Sequence, residues 1–456
     1  MQQQQQRWVR RGTRLRRNAT LVALAALVLL APACGNSEKK ATPPQTTIES
    51  GESNEPLSGE NVPVDAPGVS DSEIRVGGVA SVENPIGAKA GDSFVGVKAY
   101  FDYINSQGGI YGRTLTLAAE RDDKTANNSA EVTGLLTEDD VFAVLPVATL
   151  LFTGAQQLVD ENVPTFGWTI NTEWQGSEEE PKLNLFGQTG SYVGIGESAP
   201  FWPWIVKEAD ASKVGLLSYQ VPQSSQCADG IRSSFDEFGE RVDVEIAFRD
   251  QSLAYGVADL SVQVSQMKEA DVDFVLTCMD SQGLVTLAKE MKKQNLDAVQ
   301  FMPNSYDQEL MEEFGDLFEG SYARTDFTQF ELEDKPPGLE LYLEWIEKQD
   351  ISPSENSLVG WLNAALFVTG LQEAGPEFDR QKLIDAINDL TDFDADGLIR
   401  PVDWTMAHDT PPSLDSSCNF ISQVQDSEFV PVFSKPGKPF VCAVVEDDDL
   451  GTRYTD

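Results

Sequence analysis

Histidine is almost absent from this 456-residue chain, which has only His408, and basic residues are scarce: 33 lysines and arginines face 74 aspartates and glutamates, for a net charge of −41. One histidine, no G-x-S-x-G elbow and no Walker-type glycine loop give poor support to a Ser-His-Asp hydrolase or a phosphate-cradling enzyme. The reading is therefore a binding protein and not an enzyme, and no cofactor is called for. The acidic surplus repels nucleic acid and anionic lipid and favours a soluble monomer. Cysteine is limited to five residues with no C-x-x-C pair and no accompanying histidines, so a zinc site is not expected. No apolar run reaches the roughly 20 residues that a spanning helix needs.

The chain opens with six arginines and no acid in residues 1–33, then the uncharged run Leu21–Ala31, then Pro32-Ala33-Cys34-Gly35. A basic n-region, an apolar h-region and small residues before a cysteine read as a signal peptide over 1–33. The pattern suits lipoprotein processing, with lipid on Cys34; ordinary secretory cleavage is the alternative. Removing that segment leaves 27 basic residues against 74 acids, a net charge near −47. Residues 34–70 are rich in Ser, Thr, Pro, Glu, Gly and Asn, bury too little to fold, and read as a disordered tether. The protein is thus expected outside the cytoplasm, held at the membrane by lipid.

From Asp71 the pattern alternates. Apolar runs at 73–79, 115–119, 141–146, 163–167, 213–219, 242–248, 273–278 and 298–302 read as strands. Helical stretches fall between them, the first marked by Phe94, Val97, Phe101 and Ile104 at spacings of three and four and stopped by Gly108-Gly109. Further helices are placed at 127–137, 151–160, 192–207, 225–238, 257–270 and 282–294, with three more at 336–348, 356–374 and 379–390. Strands are placed at 398–404, 419–425 and 429–433. Repeated strand–helix units predict parallel sheets covered on both faces, in two α/β lobes.

The stretch Ile104-Asn105-Ser106-Gln107-Gly108-Gly109-Ile110-Tyr111-Gly112-Arg113, followed by Arg121-Asp122-Asp123-Lys124-Thr125, resembles a signature of the branched-chain amino-acid-type (leucine/isoleucine/valine-type) substrate-binding proteins of ABC importers. The resemblance covers about 72–445. It implies a type I periplasmic-binding-protein fold, two doubly wound parallel-sheet lobes joined by three crossovers near Gly187–Gly190, Arg324–Gln329 and Asp394–Gly397. It assigns 71–188 plus 328–394 to an N-terminal lobe, 189–327 plus 395–446 to a C-terminal lobe, and 447–456 to a flexible tail. It also implies a ligand in the interlobe cleft, at the C-terminal ends of the strands, where helix N-termini and free backbone N–H groups gather. The implied partners are a small polar or amino-acid-like solute and the permease and ATPase subunits of an importer. A ligand-sensing receptor for a signalling partner is the alternative.

Carried residue by residue, the resemblance implies that Thr149, Trp168, Thr169 and Asn171 line the first lobe's side of the cleft. Tyr219, Ser225, Asp280, Asn304, Ser305 and Tyr306 line the other. Amino-acid-binding members often have Glu where Ser305 stands, so Asp280 is a candidate to supply the missing charge. Three of these have structural alternatives, Thr149 as a cap for helix 151–160, Trp168 as simple core packing beside its strand, and Asp280 as a cap for helix 282–294. The run Asp392-x-Asp394-x-Asp396-Gly397 has calcium-loop spacing, but strand character and Pro401 follow it, and no metal is assigned.

Four cysteines beyond Cys34 suggest two disulfides, with three possible connectivities. Cys227 and Cys278 both fall at the cleft-facing edge of the second lobe's sheet, and Cys418 and Cys442 flank the terminal hairpin. That placement predicts Cys227–Cys278 and Cys418–Cys442.

Overall fold

The computed structural model describes residues 59–85, 87–177, 179–190, 196–303, 305–408, 418–446 and 449–455. Residues 1–58, with Cys34, and Asn304 lie outside the described residues.

Strands β1 (Glu73–Ala80), β2 (Thr114–Asp122), β3 (Ala143–Ala148), β4 (Thr165–Gly167) and β5 (Leu185–Gly187) form a parallel sheet in the order β2-β1-β3-β4-β5. All six residues of β3 are buried, as its unbroken apolar sequence requires of a strand covered on both faces. Helices α1 (Asp92–Ser106), α2 (Asn128–Thr137) and α3 (Ala155–Asp160) follow β1, β2 and β3.

The second sheet contains β6 (Lys213–Tyr219), β7 (Glu245–Leu253), β8 (Phe274–Cys278), β9 (Val299–Met302), β10 (Tyr322–Thr325), β11 (Cys418–Gln425), β12 (Glu428–Val432), β13 (Phe440–Glu446) and β14 (Asp449–Thr455). Its order is β14-β13-β11-β10-β9-β8-β6-β7, with β12 paired to β11. The β6–β10 part is parallel, and β11–β14 extend it antiparallel. Helices α4 (Phe201–Glu208), α5 (Pro222–Phe238), α6 (Ser261–Glu269), α7 (Ser281–Gln294) and α8 (Gln308–Phe314) belong to this lobe. Helices α9 (Pro337–Glu347), α10 (Glu355–Ala374) and α11 (Arg380–Asn388) return to the first lobe.

α10 is buried around most of its girth from Ser357 to Leu371, which explains its apolar sequence. It crosses α1 at backbone contact: a Cβ on Gly96 would lie 1.8 Å from Ser357 O, and one on Gly360 would lie 1.9 Å from Ser93 O. Any larger side chain would force the helices apart, so these glycines hold the two helix N-termini together.

The three crossovers run side by side. Thr189 Oγ1 donates to Asp326 Oδ2 at 3.0 Å, Phe327 bridges Ile399, and the Thr328 N–H donates to Leu398 O at 2.7 Å. Both disulfides form as expected, Cys227–Cys278 and Cys418–Cys442. Cys418 and Cys442 are directly paired across β11 and β13.

Several expectations are corrected. Asp449–Thr455 is a strand hydrogen-bonded to β13, where a flexible tail was expected. The 34–70 tether ends earlier than 70: the buried Arg113 guanidinium donates to Val62 O and Ser70 O, both at 2.7 Å, and so fastens this stretch to the lobe. Leu398–Trp404 is no strand; only the Phe327–Ile399 and Phe393–Val402 bridges remain, because Pro401 lacks a donor and the chain turns at once. This segment packs on the first lobe, with the Trp404 ring 5.2 Å from Phe186, although 395–446 was assigned to the second. α3 starts at Ala155 and α4 at Phe201, later than expected, and β5, α8, β10, β13 and β14 were not anticipated. β5 is three residues long and β13 lies beyond a Lys/Pro/Gly turn, so neither carries a strong periodic signal.

Candidate functional site

The C-terminal ends of β1, β2 and β3 converge on one buried carboxylate. Asp123 accepts from Ser81 Oγ at 2.7 Å, the Thr125 N–H at 2.8 Å and Asn128 Nδ2 at 3.1 Å, and Thr149 Oγ1 also donates to it. Asn171 Nδ2, in the loop after β4, donates to Thr149 O at 3.1 Å. Thr149 therefore spends its hydroxyl on Asp123, and it does not cap α3, whose N-cap is Gly154. Thr169 is buried with an unpartnered Oγ1, and Trp168 is half-buried. The missed residues here are Ser81 and Asp123; the Asp122-Asp123 pair in the quoted signature was the available clue.

On the second lobe, Ser224 Oγ accepts from the Tyr219 N–H at 2.8 Å and donates to Cys278 O at 2.5 Å, tying the ends of β6 and β8 together. Ser225 Oγ donates to Tyr219 O at 3.2 Å. Asp280 caps α7, its Oδ1 accepting from the Gly283 N–H at 3.0 Å. The Tyr219 ring is buried against Tyr255, centroids 5.1 Å apart. Burial first, and then the charge of Asp280, push the Tyr219 phenol well up; the same two causes raise Tyr255 to about 12. Ser305 Oγ lies 3.1 Å from Ser281 Oγ. Tyr306 turns into an aromatic cluster with Phe327, Phe330 and Phe429, its hydroxyl donating to Glu331 Oε2 at 2.5 Å and accepting from the Phe330 N–H at 2.7 Å. Tyr306 thus supports the crossover, and Asn304 lies outside the described residues.

The lobes meet across this crevice. Gln223 Nε2, on the first turn of α5, donates to Leu150 O at 3.1 Å and to Asn171 Oδ1 at 3.3 Å. Gly87, in a left-handed conformation, comes so close to Gln282 that a Cβ would lie 2.8 Å from its Nε2. Lys89 Nζ reaches Glu309 at 2.5 Å and Asp307 at 3.6 Å. Burial would lower the Lys89 ammonium, but the Glu309 hydrogen bond and the surrounding acids outweigh it and raise it.

At the hinge end stand charged residues that the sequence reading did not single out. Arg324 lies over the Phe201 and Trp202 rings, 5.3 and 4.8 Å from their centroids, and donates to Asn419 Oδ1 at 3.1 Å. Burial lowers its guanidinium and raises the Asp326 carboxyl, which Thr189 and Gln188 hydrogen-bond. Glu355, on the first turn of α10, is raised to about 8 by burial first and by Asp326 second. Arg324 falls in the crossover named from sequence, whereas nothing in the local sequence marks Glu355 as more than a first-turn acid.

Two doubly wound lobes, three adjacent crossovers and a crevice lined by strand ends define a two-lobed solute-binding protein of the type I periplasmic-binding fold. The chain belongs to the periplasmic binding protein family, whose sequence model matches residues 73–427. The fold is similar to a fatty acid ABC transporter substrate-binding protein from Thermomonospora curvata, with a TM-score of 0.65, 19% identity, and 81% of this chain and 93% of that one covered. It is similar to a branched-chain amino acid ABC transporter protein from Thermus thermophilus with bound valine, with a TM-score of 0.63, 17% identity, and 79% and 95% covered. It is also similar to a solute-binding protein from R. palustris in complex with benzoate, with a TM-score of 0.61, 14% identity, and 83% and 99% covered. No curated protein matches in sequence. No described helix is long and apolar enough to cross a membrane.

Proposed function

We propose that this chain is an extracytoplasmic, lipid-anchored substrate-binding protein that captures a small polar solute, an amino acid or close relative first, and delivers it to the permease of an ABC importer. The observation that carries this reading is the interlobe contact of Gln223 with Leu150 and Asn171. It lies where the ends of β3, β4 and β6 face one another, the place where open α/β sheets bind ligands. Thr169 and Asn171 offer a hydroxyl and an amide on one side, and Asp280 and Ser305 a carboxylate and a hydroxyl on the other. Hinge bending about the crossovers admits the solute.

The solute-bound neighbours differ in the chemistry their titles name, valine in one and benzoate in another, so the fold leaves the ligand to the side chains. A thermal-shift panel of amino acids, amides, amines and small carboxylates tests the reading, since a ligand of the native state raises the melting temperature by mass action. A flat response across the panel sinks it. The anchor is tested separately: Cys34→Ser is expected to move the protein from the membrane fraction to the soluble one.

A further inference from the structure

We propose that the first lobe carries a second ligand site, outside the interlobe crevice, that takes a small hydroxyl-bearing quaternary ammonium ion between aromatic rings and a rim of carboxylates. This goes beyond solute capture in the crevice and does not depend on it.

The site is a cavity of about 350 Å³ set among α1, α9, α10 and the segment 390–396. The second half of α1 supplies Tyr100, Tyr103 and Ile104. α10 supplies Trp361, and Thr369, Gln372 and Glu373 nearer its end. The chain runs from the last turn of α1 into β2, so this end of α1 lies opposite the strand ends that face the crevice.

The walls are aromatic. The Tyr100 centroid lies 5.8 Å from that of Tyr103 and 4.8 Å from that of Trp361, with ring planes at 68° and 88°. Edge-to-face packing, unlike stacking, leaves ring faces uncovered, and an uncovered face attracts a cation. Trp361 is 1% exposed, yet its indole N–H makes no hydrogen bond with any described residue. A buried donor without an acceptor is costly, and a hydroxyl oxygen on the guest would supply one.

The electrostatics are one-sided. The lining includes Glu373, Asp392, Asp394 and Asp396 and no lysine, arginine or histidine. None of the four acids forms an ion pair with a described residue. The last turns of α1 and α10 both reach the cavity, and neither holds a basic residue. A helix C-terminus carries partial negative charge that favours a nearby cation; at α10 an acid, Glu373, stands there. The charge of Asp396 is felt at Tyr100, whose phenol is pushed up by burial first, then by Tyr103 and Asp396.

An organic cation fits this better than a metal. The Asp392-x-Asp394-x-Asp396 spacing places all three residues in the lining, but among the described residues no group of three acids is arranged to hold a metal ion. Asp394 Oδ1 already accepts from the Asp396 N–H at 3.0 Å. Glu373, Asp392 and Asp396 are exposed, so they draw a cation in without stripping its water. The rings then hold its methyl groups, which ammonium lacks.

The test titrates choline, tetramethylammonium, ammonium and the uncharged carbon isostere of choline into the full chain in physiological salt, read by calorimetry and thermal shift. Choline should bind, tetramethylammonium should bind more weakly, and the other two should give no response. Glu373→Gln combined with Asp396→Asn, both at exposed positions, should weaken choline about fivefold, as loss of two solvent-facing charge contacts does. Tyr103→Ala should weaken it about threefold, while Tyr103→Phe keeps the ring face and should bind like wild type. No response to choline would overturn the inference. An equal response to ammonium or to the isostere would reduce it to bulk acidity or apolar burial and would overturn it as well. Choline binding weakened by Asn171→Ala but not by the rim and ring variants would place the ion in the crevice, with the same result. The amino-acid panel tests the crevice separately, so a flat panel with choline bound removes solute capture and leaves this site standing.

Discussion

Gln223 and Asn171 belong to different lobes, and the Gln223 amide donates to the Asn171 carbonyl oxygen at 3.3 Å while also donating to Leu150 O at 3.1 Å. The pair is a latch across the crevice, and it gives the interlobe arrangement a specific point of attack. Gln223→Ala removes both bonds. A neutral hydrogen bond is worth about 1 kcal/mol net, so ligand affinity should fall roughly five- to thirtyfold by titration calorimetry with the melting temperature of the empty protein nearly unchanged. An unaltered affinity would show that the latch does not contribute to the bound state.

Asp280 has two separable roles to test. Asp280→Ala removes the α7 cap, worth about 1 kcal/mol, and also the charge facing Tyr219. Asp280→Asn keeps the capping acceptor. If the charge contacts solute, the asparagine variant should regain the melting temperature but not the affinity, which should stay about tenfold weaker. Recovery of both would assign Asp280 to capping alone.

The disulfides differ in what they restrain. Loop closure predicts about 4 kcal/mol for the longer Cys227–Cys278 loop and about 3.5 kcal/mol for Cys418–Cys442. Replacing either pair by serine should lower the melting temperature. Only loss of Cys227–Cys278 should also weaken ligand binding, because that bridge joins the first turns of α5 to the end of β8, beside Gln223 and Asp280. Equal effects of both replacements on affinity would count against that division.

Glu355 makes stability depend on pH in a defined direction. Its folded value is raised to about 8 from an ordinary 4.5. Between those values the folded state holds more proton than the unfolded state, so stability declines as pH rises through this window. Glu355→Gln removes the dependence. Its melting temperature should match wild type near pH 4.5 and exceed it near pH 9, measured without ligand. Parallel curves for the two proteins across that range would contradict the burial of this carboxylate.

The alternation of apolar strands with amphipathic helices made two parallel-sheet lobes legible, because each strand had to be covered on both faces and each helix on one. The Ile104–Thr125 signature carried the family, and the neighbourhood of strand ends paired the four cysteines. Short or irregular pieces escaped this logic. β5 has three residues, and β14 is a polar edge strand whose pairing with β13 supplies the backbone bonds its composition does not advertise. The sequence reading placed Thr149 and Asp280 at strand ends, yet their hydrogen bonds to Asp123 and the Gly283 N–H depend on partners that local pattern does not reveal.

Sequence by itself determined the class of fold through its strand–helix alternation, the crossover positions through the family resemblance, and the bridge partners through the placement of the cysteines at strand ends and around the terminal hairpin. Tertiary structure alone decided which polar groups face one another across the crevice. Gln223 with Asn171 joins residues 52 positions apart, and Ser354 meets Asp92, 262 positions away, where Gly96 and Gly360 let α1 and α10 touch. Hydrogen bonds and charge pairs are set by distances of a few ångströms between segments remote in sequence, and those distances exist only once the core has packed.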